Sequence, residues 1–281
     1  MKDIIVGIDF SQCAINALEH AINIANHSKS NVLLLFVHNT QKAHKTIYKY
    51  TDAMDEATKL LEELIVKYQP QLIKTKITFK IREGRVYNEI VNEAKERKAY
   101  LIIIGTHGAS GFEEMWIGSN AYRIISASTT PVITIREGIK IDRDLKRIIL
   151  PIDSTLSSRQ KVPHAMTLAK LYKAEIHVIA LFHTKVKDVQ DMIIQYSQQA
   201  CDYFEKNQIN FVLKSIATKN ATETTIEYAR EIDANLIVIM TEQVSTPANF
   251  FLGPLAQQMI HQSPFPVMSI QPKELLRVLS R

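Results

Sequence analysis

The sequence is poor in the residues that build disulfide frameworks and structural metal sites. Its 281 residues include two cysteines, Cys13 and Cys201, which lie far apart and have no CxxC or Cys/His ligand spacing. This pattern argues against a disulfide framework and against structural zinc. Both cysteines are therefore predicted to be reduced thiols. Cys13 leaves two interpretations open, a buried small thiol or a redox-sensitive thiol at the start of a helix.

Long apolar runs and blocks of like charge are also missing. No stretch approaches the length of a membrane span, and Lys2, Asp3 and Asp9 interrupt the apolar residues at the N-terminus, so no signal peptide is predicted. The net charge is +5, and the basic residues are scattered along the chain. Nucleic acid and membranes are therefore not indicated as partners. We expect a soluble, cytoplasmic protein.

The chain contains an internal repeat. KDIIVGIDFS at 2–11 returns as KRIILPIDST at 146–155, AYLIIIGT at 99–106 returns as ANLIVIMT at 234–241, and PVITI at 131–135 returns as PVMSI at 266–270. The order is the same in both copies. The repeat predicts two homologous domains, at 1–138 and 145–281, joined by a short charged segment.

Each half alternates short β-branched runs with helical periodicity. In the first half, strands are predicted at 4–8, 32–37, 101–105 and 132–135, with one more strand nearer the sheet edge in ITFKIREG. Amphipathic helices are predicted between them. The fold class is therefore α/β, with two tandem three-layer α/β/α domains, each built on a five-stranded, mainly parallel sheet of Rossmann-like type.

Glycine is scarce overall but concentrated in one stretch. Four of the eight glycines lie within residues 105–118, between a predicted strand and a predicted helix. Gly105 would let a ligand approach the strand end, while Gly108 and Gly111 would permit the positive φ angles of a tight loop. Gly118 and Ser119 would open the helix, so that its N–H groups face the same space. Such an arrangement predicts phosphate binding.

Positive charge is scarce beside this stretch. The glycine-rich stretch matches neither GxxxxGK[ST] nor GxGxxG, and no lysine occurs from Ala99 to Ile139. Phosphate charge would then be met by backbone dipoles, Ser119, Arg123 and a divalent cation such as Mg²⁺. A strong phosphotransfer catalyst usually brings more positive charge than this. At most weak phosphoryl transfer or hydrolysis is expected, and no residue is assigned a catalytic role.

The glycine spacing Gly105-x2-Gly108-x9-Gly118-Ser119, the opening strand IIVGIDFS and the closing TTPVITI together resemble the universal stress protein family in its ATP-binding branch. The resemblance covers both halves of the chain. It implies ATP as the ligand of the first domain, with Asp9 and Val37 at the adenine, the glycine motif at the ribose and phosphates, and Gly7 and Ile104 lining the pocket. The residues that the resemblance assigns to binding are Gly7, Asp9, Val37, Ile104, Gly105, His107, Gly108, Gly118 and Ser119.

The second half departs from this motif. Met240 and Gln243 replace the first two glycines, and Gly253 is followed by Pro254 instead of serine. We expect the Met240 side chain to stand where the ribose would pass, and Pro254 removes a donor N–H. Asp153 persists. The sequence therefore predicts one nucleotide per chain, in the first domain.

Several residues keep a second interpretation. Asp9 could cap the helix that begins near Ser11, and His107 could be a solvent-facing loop residue instead of a functional one. Phe112 and Trp116 could form a lid or pack on a neighbouring helix.

The closing strands, each starting with proline, are predicted at sheet edges. The resemblance implies that they pair the two halves as a pseudo-dimer within one chain, and two chains could associate further. Three functions are weighed: an ATP-binding stress-response or signalling module, a slow ATPase or phosphotransferase, and a nucleotide-independent protein-interaction module. Intact glycines and Ser119 favour the first.

Overall fold

The computed structural model describes residues 2–39, 47–106, 117–136, 143–241, 243–246 and 249–272. In the first half the strands are β1 (Asp3–Ile8), β2 (Asn31–His38), β3 (Ile77–Glu83), β4 (Leu101–Gly105) and β5 (Val132–Ile135). The helices are α1 (Gln12–Ser28), α2 (Ile47–Tyr68), α3 (Val86–Glu96) and α4 (Ser119–Ala127). These elements confirm the predicted alternation, and the bounds of β4 and β5 are those predicted.

The second half repeats this order of strands and helices. Its strands are β6 (Arg147–Ile152), β7 (Glu175–Phe182), β8 (Phe211–Ala217), β9 (Leu236–Met240), β10 (Gln243–Thr246), β11 (Asn249–Leu252) and β12 (Val267–Ile270). Its helices are α5 (Val162–Tyr172), α6 (Lys187–Lys206), α7 (Ala221–Glu231) and α8 (Pro254–Gln262). The antiparallel hairpin β10–β11 follows β9, and a 3₁₀ helix at Leu156–Lys161 precedes α5. None of the helices described is long and apolar enough to cross a membrane.

The two halves form one ten-stranded sheet. Its order is β3-β2-β1-β4-β5-β12-β9-β6-β7-β8, and every pairing within a half is parallel. At the centre β5 and β12 pair antiparallel, with Ile133 opposite Met268, its counterpart in the other repeat. The predicted pairing of the two halves through their closing strands is confirmed, as is the edge position of β3.

Helices cover both faces of this sheet. One buried cluster joins alternate strand residues to α1, α2, α5 and α6, and a second joins the other strand residues to α3, α4, α7 and α8. This is the predicted three-layer arrangement. Alternate residues of each strand point to opposite faces of the sheet, so each strand contributes to both cores.

Gly105 allows α1 to pack directly on the end of β4. A Cβ added at Gly105 would lie 2.6 Å from Cys13 Cβ and 2.9 Å from the Cys13 carbonyl carbon. Contacts this short do not occur between real side chains, so the position requires glycine for close helix–strand packing. Sequence reasoning attributed this glycine to ligand approach instead. Cys13 is fully buried, as expected for a structural thiol.

In the second domain Met240 occupies the position equivalent to Gly105. Met240 is buried and belongs to the cluster on the α5 face of the sheet. The expectation that its side chain stands in a ribose path stays a prediction. The 3₁₀ helix Leu156–Lys161 replaces the first turns of the helix there and lies against β9.

We expect Gly105→Ala to lower the free energy of unfolding by about 1–3 kcal/mol, because the added methyl group overpacks a backbone contact. Gly7→Ala is the matched control, since its Cβ would meet only the ends of the Ile90 and Ile104 side chains, at 3.1 and 3.2 Å. Urea-induced unfolding measures both. An equal or larger loss in Gly7→Ala would contradict the helix-packing role of Gly105.

A buried carboxylate ties α3 to β3 and to the start of β1. Glu93 is 1% exposed and accepts hydrogen bonds from Lys80 Nζ at 2.8 Å, Arg82 Nε at 2.6 Å and Arg97 Nε at 2.5 Å. Arg97 also donates to Asp3 at 3.0 Å. Burial by itself would raise the pKa of Glu93, but the three cationic donors outweigh burial and lower this pKa to about 2.

A carboxyl group whose pKa is lower in the folded chain stabilises the fold above its unfolded pKa, and this contribution is lost as the pH falls through the folded pKa. Glu93→Gln should therefore lower the free energy of unfolding at pH 7 by about 2–3 kcal/mol. The difference from wild type should shrink as the pH falls from about 4.5 toward 2. Urea titrations between pH 7 and pH 3 measure it, with the exposed Glu62→Gln as control. A difference independent of pH would refute the ionic role of Glu93.

Candidate functional site

A cavity of about 240 Å³ opens at the carboxyl ends of β1, β2 and β4. The start of α4 and the first turns of α3 close its sides. Its lining comes from six elements and the segments that follow the strands: Gly7, Ile8, Asp9, Ala14, Leu35, Phe36, Val37, Val86, Ile90, Ile104, Gly105, Thr106, Gly118, Ser119, Asn120, Ala121 and Ile124.

This position is where the chain order of the sheet reverses. From β1 the chain proceeds outward through β2 to β3, and then returns to the other side of β1 as β4. The crossovers therefore leave β1 and β4 in opposite directions, which opens a crevice between them. Open α/β sheets bind ligands at this point, and the structure has a cavity there.

The cavity has an apolar inner end and a polar outer end. Leu35, Ile90, Ile104 and Ile124 are buried and form the inner wall. Exposed side chains and helical N–H groups surround the mouth, where Asp9, Ser119 and Asn120 lie. Such a cavity suits a ligand with an apolar ring at one end and a polar or anionic group at the other.

The start of α4 is fixed by the backbone of β4. Gly118 is the N-cap residue, and no side chain caps this helix. The Gly118 N–H donates to the Thr106 carbonyl oxygen at 2.7 Å, and a Cβ at Gly118 would lie 3.1 Å from that oxygen. The following N–H groups have no carbonyl acceptor within the helix. Because Ser119 and Asn120 line the cavity, the positive end of the helix dipole faces it.

Asp9 organises the turn between β1 and α1. Its Oδ1 accepts hydrogen bonds from Ser11 N at 3.1 Å and from Ser11 Oγ at 2.6 Å. Ser11 is the N-cap residue, and its Oγ accepts from Ala14 N at 3.2 Å. The interpretation of Asp9 as the helix cap is therefore wrong: Asp9 orients the cap. Between them Phe10 has a φ of 64°, a left-handed conformation that costs a bulky residue about 1 kcal/mol or more.

Seven of the nine residues assigned from the family resemblance line this single cavity. They are Gly7, Asp9, Val37, Ile104, Gly105, Gly118 and Ser119. The other two, His107 and Gly108, lie outside the described residues, as do Gly111, Phe112 and Trp116. Arg123 was expected to help meet phosphate charge, but it is not a lining residue, and its guanidinium lies over the Tyr87 ring at 5.4 Å.

Sequence reasoning missed part of the lining. Val86 and Ile90 lie one helical turn apart on α3 and both line the cavity. Their i, i+4 spacing predicts that they share one face of the helix, but it does not indicate that this face borders a cavity. Thr106 directly follows Gly105 and is 4% exposed, and its N–H donates to Ile135 O at 2.9 Å. Phe36 lies beside the predicted Val37 and contacts Phe10, with ring centroids 5.4 Å apart.

The second domain keeps the turns but alters the helix start. Asp153 Oδ1 accepts hydrogen bonds from the N–H and hydroxyl of Thr155, at 2.7 and 2.6 Å, as Asp9 does from Ser11. Ser158, aligned with the cavity-lining Ala14, accepts hydrogen bonds from Asp153 N at 3.2 Å and from the buried Lys161 Nζ at 3.0 Å. Polar side chains thus occupy the counterpart of the α1 start.

Within the part of the chain that the structure describes, no group of three or more His, Cys, Asp or Glu side chains could hold a metal ion. The described residues therefore offer no resident metal centre. A Mg²⁺ ion at the mouth of the cavity would need phosphate oxygens and water as its main ligands, which is its common mode with nucleotides.

Known proteins are similar to this chain in both sequence and fold. A universal stress protein of Methanocaldococcus jannaschii is 29% identical over 149 residues, which cover 48% of this chain and 82% of that protein. One of Bacillus subtilis is 28% identical over 145 residues, covering 47% and 97%. The crystal structure of a universal stress protein from Archaeoglobus fulgidus superposes with a TM-score of 0.79 at 20% identity, covering 96% of this chain and 98% of that one.

The family model for the universal stress protein family matches twice, at residues 1–136 and 144–271. These two ranges span nearly the whole chain and agree with the internal repeat and the paired half-sheets. The chain belongs to the universal stress protein family, as a tandem of two of its domains.

Proposed function

We propose that this protein binds ATP in its first domain, one nucleotide per chain, and acts as a stress-response or signalling module. The observation that carries the proposal is the cavity at the switch point of the first half-sheet, where seven residues assigned from the family resemblance converge. The base would occupy the apolar inner end, beside Val37 and Ile104. The phosphates would lie at the mouth, against the N–H groups that open α4.

The electrostatics of the cavity support binding over catalysis. Among the described lining residues, Asp9 is the charged one, and the groups that can bind an anion are the helix N–H groups and the Ser119 hydroxyl. These groups can hold phosphate, but they supply little of the positive charge that phosphoryl transfer uses. We therefore propose a nucleotide sensor, whose occupancy biases the conformation or the partner surface of the domain pair. Its cytoplasmic location stays a prediction.

The first test is calorimetric titration of nucleotide-stripped protein with ATP and Mg²⁺. We expect saturation at one ATP per chain. Gly118→Glu should weaken binding at least tenfold, because its carboxylate would repel phosphate and crowd Thr106 O. Gly253→Glu places the same charge at the equivalent N-cap of the second domain and should leave ATP affinity unchanged. If folded wild-type protein binds no ATP, the proposal fails and the protein-interaction module becomes the leading hypothesis.

Asp9 allows a test that separates ligand contact from turn stabilisation. Asp9→Ala should weaken ATP binding about tenfold, the effect of losing one hydrogen bond from a charged group. Asp153→Ala removes the same Asx turn in the second domain, so its loss of stability should be similar while its ATP affinity stays that of wild type. Calorimetry and thermal unfolding measure the two effects. Equal ATP affinities in the two variants would show that Asp9 stabilises the turn and does not contact ATP.

A further inference from the structure

The two domains exchange hydrogen bonds at the starts of their last helices. In the first domain, the N–H of Ile117, directly before the N-cap Gly118, donates to His261 Nδ1 of α8 at 3.0 Å. In the second domain, the N–H of Leu252, directly before the N-cap Gly253, donates to the Tyr122 hydroxyl of α4 at 3.3 Å. Ile117 and Leu252 are equivalent in the repeat. The last helix of each domain thus accepts a hydrogen bond from the residue that precedes the N-cap of the other domain's last helix.

The contact at His261 belongs to a larger junction. The Arg136 guanidinium, just after β5, donates to the His261 carbonyl oxygen at 2.7 Å. His261 therefore contacts the first domain through its ring and through its backbone. The antiparallel pairing of β5 with β12 brings α4 and α8 near enough for these contacts.

Two successive N–H groups at the edge of the cavity are consequently held by different domains. His261 accepts from Ile117, and Thr106 of the first domain accepts from Gly118 at 2.7 Å. These two acceptors fix the chain direction as it enters α4. The direction of the next N–H groups, those of Ser119 and Asn120 at the cavity mouth, follows from that entry.

The second domain has the same arrangement with one donor fewer at its helix start. The Gly253 N–H donates to Thr241 O at 3.0 Å, as Gly118 does to Thr106, but Pro254 has no N–H to offer a ligand. The cross-domain contact at Leu252 can therefore serve structure alone. The contact at Ile117 adjoins a helix start that lines a cavity, so it can also affect binding.

We propose that His261 is a positioning residue for the phosphate end of the first-domain site. The inference rests on the proposed function. The second domain, with its degenerate motif, supplies an acceptor that aims the α4 N–H groups at the bound anion. By thermodynamic reciprocity, occupancy of the first domain strengthens the contact of α8 with Ile117. The nucleotide state is thereby transmitted to the second domain through one hydrogen bond.

The experiment uses the full chain with three substitutions. His261→Leu removes the acceptor, whereas His261→Asn keeps an acceptor oxygen near the position of Nδ1. Tyr122→Phe removes only the hydroxyl of the reciprocal contact and is the matched control. Calorimetry gives the Kd for ATP with Mg²⁺, hydrogen exchange followed by NMR gives the protection of the Ile117 amide, and thermal unfolding shows that each variant is folded.

We expect His261→Leu to raise the Kd about three- to tenfold, the range of one hydrogen bond between neutral groups. His261→Asn should restore most of the affinity, and Tyr122→Phe should leave Kd within twofold of wild type. Saturating ATP should slow exchange of the Ile117 amide in wild type and should do so less in His261→Leu.

The outcomes separate the two proposals. Failure of wild-type protein to bind ATP overturns the proposed function itself. If wild type binds ATP and His261→Leu binds it equally well, the proposed function stands and the positioning role of His261 is wrong. Equal weakening of ATP binding by His261→Leu and Tyr122→Phe would also overturn the positioning role, because that result would reflect a general loss of contacts at the domain junction.

Discussion

The antiparallel pairing of β5 with β12 is the constraint on which the rest of the molecule depends. Each half-sheet ends in a short, buried strand, VITI or VMSI, that would otherwise expose an edge of unpaired N–H and C=O groups. Pairing these two strands satisfies their backbone groups and merges two five-stranded sheets into one of ten strands. Since Ile133 faces its repeat counterpart Met268, the two halves are related by approximate twofold symmetry about this point.

That symmetry explains how two domains with unequal motifs remain interdependent. The helices that follow the glycine segments, α4 and α8, flank the central pair of strands. A side chain of each helix accepts one hydrogen bond from the N–H that precedes the N-cap of the other. The second domain has lost the serine and the donor N–H that would face a phosphate. It has kept the glycine–threonine backbone contact and the Asx turn. Its remaining contacts fit a supporting domain, and the first domain has an open cavity.

Gly105 matches the predicted glycine motif, but the structure requires glycine there for helix packing and not only for the approach of a ligand. Its position at the end of β4 suggested room for a ligand, and it does line the cavity. The atoms closest to an added Cβ, however, belong to Cys13 and Ala14 at the start of α1. The second domain replaces this glycine with buried Met240 and changes the helix start to a 3₁₀ helix. Close helix packing and an open strand end are therefore linked in the first domain and altered together in the second.

The sequence by itself determined the repeat and the order of strands and helices, because periodicity and repeated segments are local features of the chain. Its resemblance to a known family assigned the seven residues that line one cavity. Only the tertiary structure decided that Ser11 caps α1 while Asp9 orients it, that Gly105 serves helix packing, and that Arg123 lies over Tyr87. The hydrogen bond from Ile117 to His261 joins residues 144 positions apart. No local pattern encodes such a contact, because it exists only once two half-sheets pair in one register.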